Sequence, residues 1–180
     1  MLLLKEEGSL NRLDPFIGYS QGMPLRYGDN VFMSILDAAV GQALSPLIKP
    51  PITLEQLRRY AEASGDHNPI HIDEEAARRV GLDSVIAHGM LSMAFLGQFV
   101  TQQIAGITNA QLAQLKVRFV NMVRLDDTLT CLGIVRAYES NAGRDAITLE
   151  CWAQNQKGEK VTTGEAVIFV PSVQRNEVSA

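Results

Sequence analysis

Cysteine is scarce in this chain: Cys131 and Cys151 are the two present among 180 residues. Both fall in strand-like stretches. A hairpin centred near Ala142-Gly143 sets Gln154, and not Cys151, opposite Cys131, so a disulfide between them is not expected. Neither has a histidine or a second cysteine at metal-ligand spacing, and both read as small core residues. Long basic runs are missing too, and the net charge is −4, which argues against nucleic acid as the main partner. No stretch approaches the ~18 apolar residues of a membrane helix. Met1-Leu-Leu-Leu-Lys-Glu-Glu7 lacks the apolar centre of a signal peptide, so the expected compartment is the cytoplasm, away from any membrane. There is no GxGxxG after a strand, no Walker loop and no zinc-type spacing. No cofactor and no metal are expected. Internal repeats and low-complexity tracts are also absent.

What remains is an ordinary globular composition, with 46% hydrophobic and 20% charged residues, in a length that suits one domain. Residues 1–40 stand apart as an N-terminal extension. Pro15, Gly18, Gly22, Pro24 and Gly28 punctuate an irregular loop. Asp29 or Asn30 is then expected to cap a short helix with Phe32, Ile35, Leu36 and Ala39 on one face. The domain proper is expected over residues 41–172, with a tail at 173–180. Thr53-Leu-Glu-Gln56 has capping-box spacing and opens a helix that ends before Gly65. Asp73 caps a second, short helix, Glu74 to Arg79, stopped at Gly81. From Gly89 the run Met-Leu-Ser-Met-Ala-Phe-Leu-Gly-Gln-Phe-Val is apolar almost all round, which predicts a buried central helix. Its Met90, Met93, Phe95 and Phe99 read as core before they read as a cofactor box. Strand signals follow at Leu115–Phe119, Thr128–Tyr138, Ala146–Ala153 and Val161–Val170. Short links imply antiparallel hairpins. The class is therefore α+β, an antiparallel sheet wrapped around one long buried helix.

The chemistry concentrates in Ser64-Gly-Asp-His-Asn-Pro-Ile-His-Ile-Asp73. Asp66 and His71 share one tight loop. Pro69 fixes φ and keeps Asn68 extended, and the Asn68 amide can bond its own backbone. Near neutral pH an aspartate is ionised and an imidazole mostly neutral. Gripping one water, such a pair can take a proton from it and supply another to a neighbouring carbon. That is what hydration of a double bond conjugated to a thioester requires. The N–H groups at the start of the helix after His88 could meet the charge that develops on the thioester oxygen. The plainer reading is that Asp66 serves a turn, since Asp before Asn-Pro is an ordinary turn signal. His67 reads as solvent-facing, His88 as a hydrogen-bonded structural histidine, and Asp73 as an N-cap. Lys116, Arg118 and Arg124 are candidates for ligand phosphates, or simply the wet face of a strand.

The stretch Tyr60-Ala-Glu-Ala-Ser-Gly-Asp-His-Asn-Pro-Ile-His-Ile-Asp-Glu-Glu-Ala-Ala77 resembles the signature of the R-specific enoyl-CoA hydratases, the MaoC-like or hydratase 2 family. Val80-Gly-Leu-Asp83 and Ile86-Ala-His-Gly-Met-Leu91 look like the same family's approach to its central helix. They are also similar to bacterial β-hydroxyacyl thioester dehydratase subunits. The resemblance implies a hot-dog fold and reversible hydration of trans-2-enoyl-CoA or acyl-carrier thioesters to (R)-3-hydroxyacyl thioesters. It implies that Asp66 and His71 are the catalytic pair. Gly89 would be the oxyanion donor and Asn68 the holder of the loop. It further implies a dimer or larger assembly. The apolar central helix and single sheet of short strands leave much to cover, so a homodimer is expected, with a hetero-oligomer with another hot-dog subunit as the alternative. A catalytically idle hot-dog subunit is the competing class. The chain departs from the family pattern at Ala63, where a larger aliphatic residue is common, and at Asp126-Asp127, where Gly-Asp often opens the second long strand.

Overall fold

The computed structural model describes residues 25–27, 30–32, 35–141 and 143–172. Most of the loop expected up to Gly28, and the tail at 173–180, lie outside them. Among the described residues the short helix expected after Asp29 or Asn30 is absent. Leu25–Tyr27 (β1) instead pairs antiparallel with Asn30–Phe32 (β2), Leu25 opposite Phe32, and residues 35–37 make a turn. The reason lies in the sequence: tyrosine, valine and phenylalanine favour strands, and Gly28-Asp29 separates the two triplets at hairpin spacing.

The main sheet is antiparallel, in the order β3-β5-β6-β7-β4. Its strands are Leu47–Ile48 (β3), Gln111–Phe119 (β4), Thr130–Asn141 (β5), Arg144–Gln154 (β6) and Lys160–Pro171 (β7). Strands β5 to β7 form the expected meander. Strand β4 is added beside β7, so residues 120–129 must carry the chain back across the sheet to β5. The outer edge of β5 is covered by the segment leading into the domain: Gly41 N–H donates to Val135 O at 2.8 Å and Leu44 N–H to Gly133 O at 2.9 Å. The outer edge of β4 has no strand partner among the described residues.

A one-residue bulge at Arg136 corrects the expected hairpin register. Tyr138 faces Ile147, as a turn centred at 142–143 dictates, but beyond the bulge Cys131 faces Ala153 and Cys151 faces Gly133. Both thiols are free and fully buried, and burial pushes them up to about 12 and about 11.

Helix α3, Gly89–Gln103, lies against β4, β5, β6 and β7. Leu91, Phe95, Leu96, Phe99 and Val100 are buried in one cluster with Val135, Leu149, Cys151 and Ile168. Phe99 is entirely enclosed, a burial worth about 1.5–3 kcal/mol. The helix sits so close that a Cβ on Gly133 would come within 2.8 Å of the Phe99 ring. It is not buried all round, however. Met90, Ala94 and Gln98 form an exposed stripe, because within one chain the sheet curls around only one side. No helix among the described residues is long and apolar enough to cross a membrane.

Candidate functional site

Three segments meet at the N-terminal end of α3. The first is prepared by α1, Leu54–Ser64, whose start is capped by Thr53 Oγ1 accepting from Gln56 N–H at 3.1 Å. Gly65 ends it at φ 75°, a left-handed turn that glycine makes without strain. The chain then enters the loop. Asp66 Oδ1 accepts from Asn68 N–H, and Asn68 Oδ1 from Ile70 N–H, both at 3.3 Å. That succession winds Pro69–His71 into a single 3₁₀ turn. Asp73 next accepts from Glu75 and Ala76 N–H, at 2.8 and 3.1 Å, and starts α2, Glu74–Arg79.

The turn delivers the His71 ring inward, 9% exposed, while Asp66 stays exposed. His71 Nδ1 lies 2.7 Å from the Ile86 carbonyl. A carbonyl only accepts, so Nδ1 carries the proton and Nε2 keeps the lone pair. The second segment, Ile86–His88, is tied on both sides: Ile86 N–H donates to Ile70 O at 3.2 Å and Ala87 N–H to Val123 O at 2.8 Å. His88 is 2% exposed, with Nε2 3.0 Å from the Asp66 carbonyl. Its ring lies 4.0 Å from that of His71 at 33°, and 4.8 Å from Tyr60. Burial holds His88 below the ordinary histidine value. The backbone bond to Asp66 opposes that, the charge of His71 adds to it, and the charge of Asp66 opposes it.

The third segment is the start of α3, whose first N–H groups have no carbonyl four residues back. Ser92 Oγ donates to Gly89 O at 2.7 Å and lies 2.6 Å from Thr162 Oγ1, pinning the helix start to β7. A cavity of about 420 Å³ opens here, lined among others by His71, Gly89, Ser92, Phe119, Val120 and Met122. Phe119 rests against Gly89: a Cβ there would meet its ring at 3.4 Å.

A carboxylate oxygen of Asp66 and ring nitrogens of His71 and His88 all lie within 4.8 Å of one another. One carboxylate and two imidazoles are donor types that suit a transition metal. The two rings are tilted by 33°, and one nitrogen of each is already taken up, His71 Nδ1 by the Ile86 carbonyl and His88 Nε2 by the Asp66 carbonyl. For a bridging water the spacing is favourable: two groups up to 4.8 Å apart can both hold one molecule at about 2.8 Å.

The structure thus brings Asp66 and His71 together and sets Gly89 with His71 on one cavity. Asn68 holds the loop from an exposed position. His67 points elsewhere, 3.8 Å from Glu62. Lys116 and Arg118 are exposed on β4, and Arg124 pairs with Asp83 at 3.4 Å. The member that sequence reasoning left out of the cluster is His88. It lies 22 residues from Asp66, and its one available signal was its place directly ahead of an apolar helix.

Comparison with known proteins agrees in kind. A family model described as a MaoC like domain matches residues 36–150. A UPF0336 protein of Streptomyces coelicolor is 30% identical over 137 residues, covering 73% of this chain and 91% of that protein. The 3-hydroxyacyl-thioester dehydratase X of Mycobacterium tuberculosis is 39% identical over 84 residues, 44% of this chain and 25% of the relative. Among solved structures, an (R)-hydratase from A. caviae involved in PHA biosynthesis superposes with a TM-score of 0.66 at 27% identity, covering 75% of this chain and 98% of the other.

Proposed function

The chain belongs to the MaoC-like dehydratase family, a family of hydro-lyases with the hot-dog fold, and on that premise we propose that it hydrates trans-2-enoyl thioesters reversibly to (R)-3-hydroxyacyl thioesters, using Asp66 and His71. One observation carries the reading: the Asp66 carboxylate lies within 4.8 Å of a nitrogen of His71, and His71 lines a cavity together with Gly89. Both can grip one water. As that water attacks Cβ, its oxygen forms the new C–O bond and one of its protons passes to the pair. The π electrons of the double bond move onto the thioester oxygen as an enolate. The pair then returns a proton to Cα, so the net change is the addition of H₂O. His71 is suited to this because the Ile86 carbonyl fixes the proton on Nδ1 and leaves Nε2 basic. Positioned proton transfer of this kind contributes about 10²–10⁴-fold. Gly89 N–H, at the positive end of α3, would donate to the enolate oxygen, and Asn68 would keep the loop in shape.

The thioester carrier is coenzyme A or an acyl-carrier protein, and the acyl chain enters beside Ser92 and Phe119. We further take the protein to act as a homodimer. Met90, Phe119, Val120 and Met122 are 53%, 47%, 42% and 52% exposed, and all but Met90 line the cavity at the end of the open strand β4. Apolar surface gathered in this way marks an interface. A second copy there, or another hot-dog subunit, would wall the site.

The test is direct. Purified protein with crotonyl-CoA should bleach the conjugated thioester absorbance, and chiral chromatography should return the (R)-3-hydroxy product. Folded protein that leaves crotonyl-CoA and longer trans-2-enoyl-CoAs unchanged refutes the assignment.

A further inference from the structure

His88 stands at the junction of everything the proposed reaction needs. Its main chain leads directly into Gly89. Its ring backs His71 at 4.0 Å. Its Nε2 lies 3.0 Å from the Asp66 carbonyl oxygen. Since that oxygen can only accept, Nε2 carries the ring proton, and Nδ1 is left with a lone pair. That Nδ1 is buried and, among the described residues, has no hydrogen-bond partner. A buried polar atom without a partner is destabilising, so the placing of this ring calls for a reason beyond stability. This ring also caps nothing: it occupies the N-cap position of α3 without a capping bond. Its one polar contact reaches back to the loop that bears Asp66.

We propose that His88 is a positioning residue, a strut whose Nε2–H sets the distance between the Asp66 carboxylate and the N-terminal N–H groups of α3, and whose neutral ring supports His71 as His71 takes up a proton. Neutrality matters to the second role. A charged imidazole 4.0 Å from His71 would oppose protonation of its neighbour. The charged or titratable groups facing the ring are Asp66 from the loop, His71 from the 3₁₀ turn and Tyr60 from α1. Of these only Asp66 favours a charge on His88 at neutral pH, and burial outweighs it.

This inference rests on the hydratase reading, and the experiment separates the two. Three variants divide the two contributions of the ring. His88→Gln keeps an N–H donor near the position of Nε2 and discards the ring. His88→Phe keeps a ring against His71 and discards the donor. His88→Ala discards both. With crotonyl-CoA, His88→Phe and His88→Ala should lower kcat by about 10²-fold, the cost of a misplacement near 1 Å, while KM stays within about threefold. His88→Gln should restore kcat to within about tenfold of wild type. All three near wild-type kcat, or His88→Gln as poor as His88→Ala, overturns the strut. Inactive wild-type protein would instead fail the hydratase reading. Nitrogen NMR of histidine-labelled wild-type protein needs neither activity nor a variant that folds. It should find His88 neutral and protonated at Nε2 near neutral pH. An imidazolium, or a proton on Nδ1, near neutral pH overturns the proposal.

Discussion

Asp66→Asn isolates the chemistry from the architecture more cleanly than any other change in the site. Asp66 is exposed, and its side chain accepts a 3.3 Å hydrogen bond from Asn68 N–H. The asparagine oxygen can accept that bond equally well. Only the charge and the ability to carry a proton are lost. Stability should therefore move by no more than about 0.5 kcal/mol, as for surface substitutions generally. At about 2–4 °C per kcal/mol for a chain of this size, that is a shift of about 2 °C or less in Tm. The kcat for crotonyl-CoA should fall at least ~10²-fold, about 2.7 kcal/mol of barrier. His71→Ala supplies the contrast. It removes a nearly buried ring, its stack on His88 and the donor to the Ile86 carbonyl. An acceptor left without its partner costs about 1–3 kcal/mol, so this variant should lose kcat comparably and also several degrees of Tm. If the two residues act as a unit on one water, the double variant should be little slower than either single one. The assays are enoyl-CoA absorbance for rate and a fluorescence melt for stability. An Asp66→Asn protein that melts normally and hydrates crotonyl-CoA at near wild-type rate would falsify the assignment. The loop would then be a turn, and the chain an idle subunit of its family.

Other outcomes follow from the same geometry. Because burial depresses His88 in the folded state, the unfolded chain binds the extra proton first. Its contribution to stability is thus complete above the ordinary value of 6.5 and is lost as pH falls from there through the folded value. Tm measured between pH 8 and 5 should drop on the acid side, and His88→Gln should flatten that drop; an unchanged slope in the variant rejects the argument. Gly133→Ala sets a Cβ 2.8 Å from the Phe99 ring and 3.1 Å from the Glu150 carbonyl. Overpacking of this order should cost about 1–3 kcal/mol, and a melt identical to wild type would show that α3 is free to move off β5. Light scattering at micromolar concentration should find a dimer that Met122→Glu weakens. A wild-type monomer with full activity contradicts the interface placed at the end of β4.

Much of this molecule was legible before its coordinates. The capping residues Thr53 and Asp73 sit where they were read, because a side-chain oxygen before a helical run has one obvious use. The strands of β5, β6 and β7 and the position of α3 follow from hydrophobic period. What sequence could not give was anything set across distance. The bulge at Arg136 moved Cys131 by one register position, and no local pattern announces a bulge. The hairpin at β1 and β2 was hidden under an apolar spacing that fits a helix as well. The outward stripe of α3 escaped because Ala94 counts as apolar in any window, although it lies on the open side of the sheet. Asp126 departs from the glycine common in the family, yet it adopts φ 65°. Aspartate is among the few residues that tolerate that region, so the backbone path survives the substitution. Sequence alone marks His88 as a structural histidine, and its contact with Asp66 appears only once the loop and the helix start are placed together.

The Ile86 carbonyl that holds His71 Nδ1 belongs to the main chain, and this has an evolutionary consequence. No single-codon change can delete a peptide oxygen. A change of side chain at position 86 would alter the shape of the cavity it lines while leaving in place the oxygen that accepts from His71 Nδ1. On the proposed function, the cavity can thus be reshaped at this position without disturbing the hydrogen bond that orients His71.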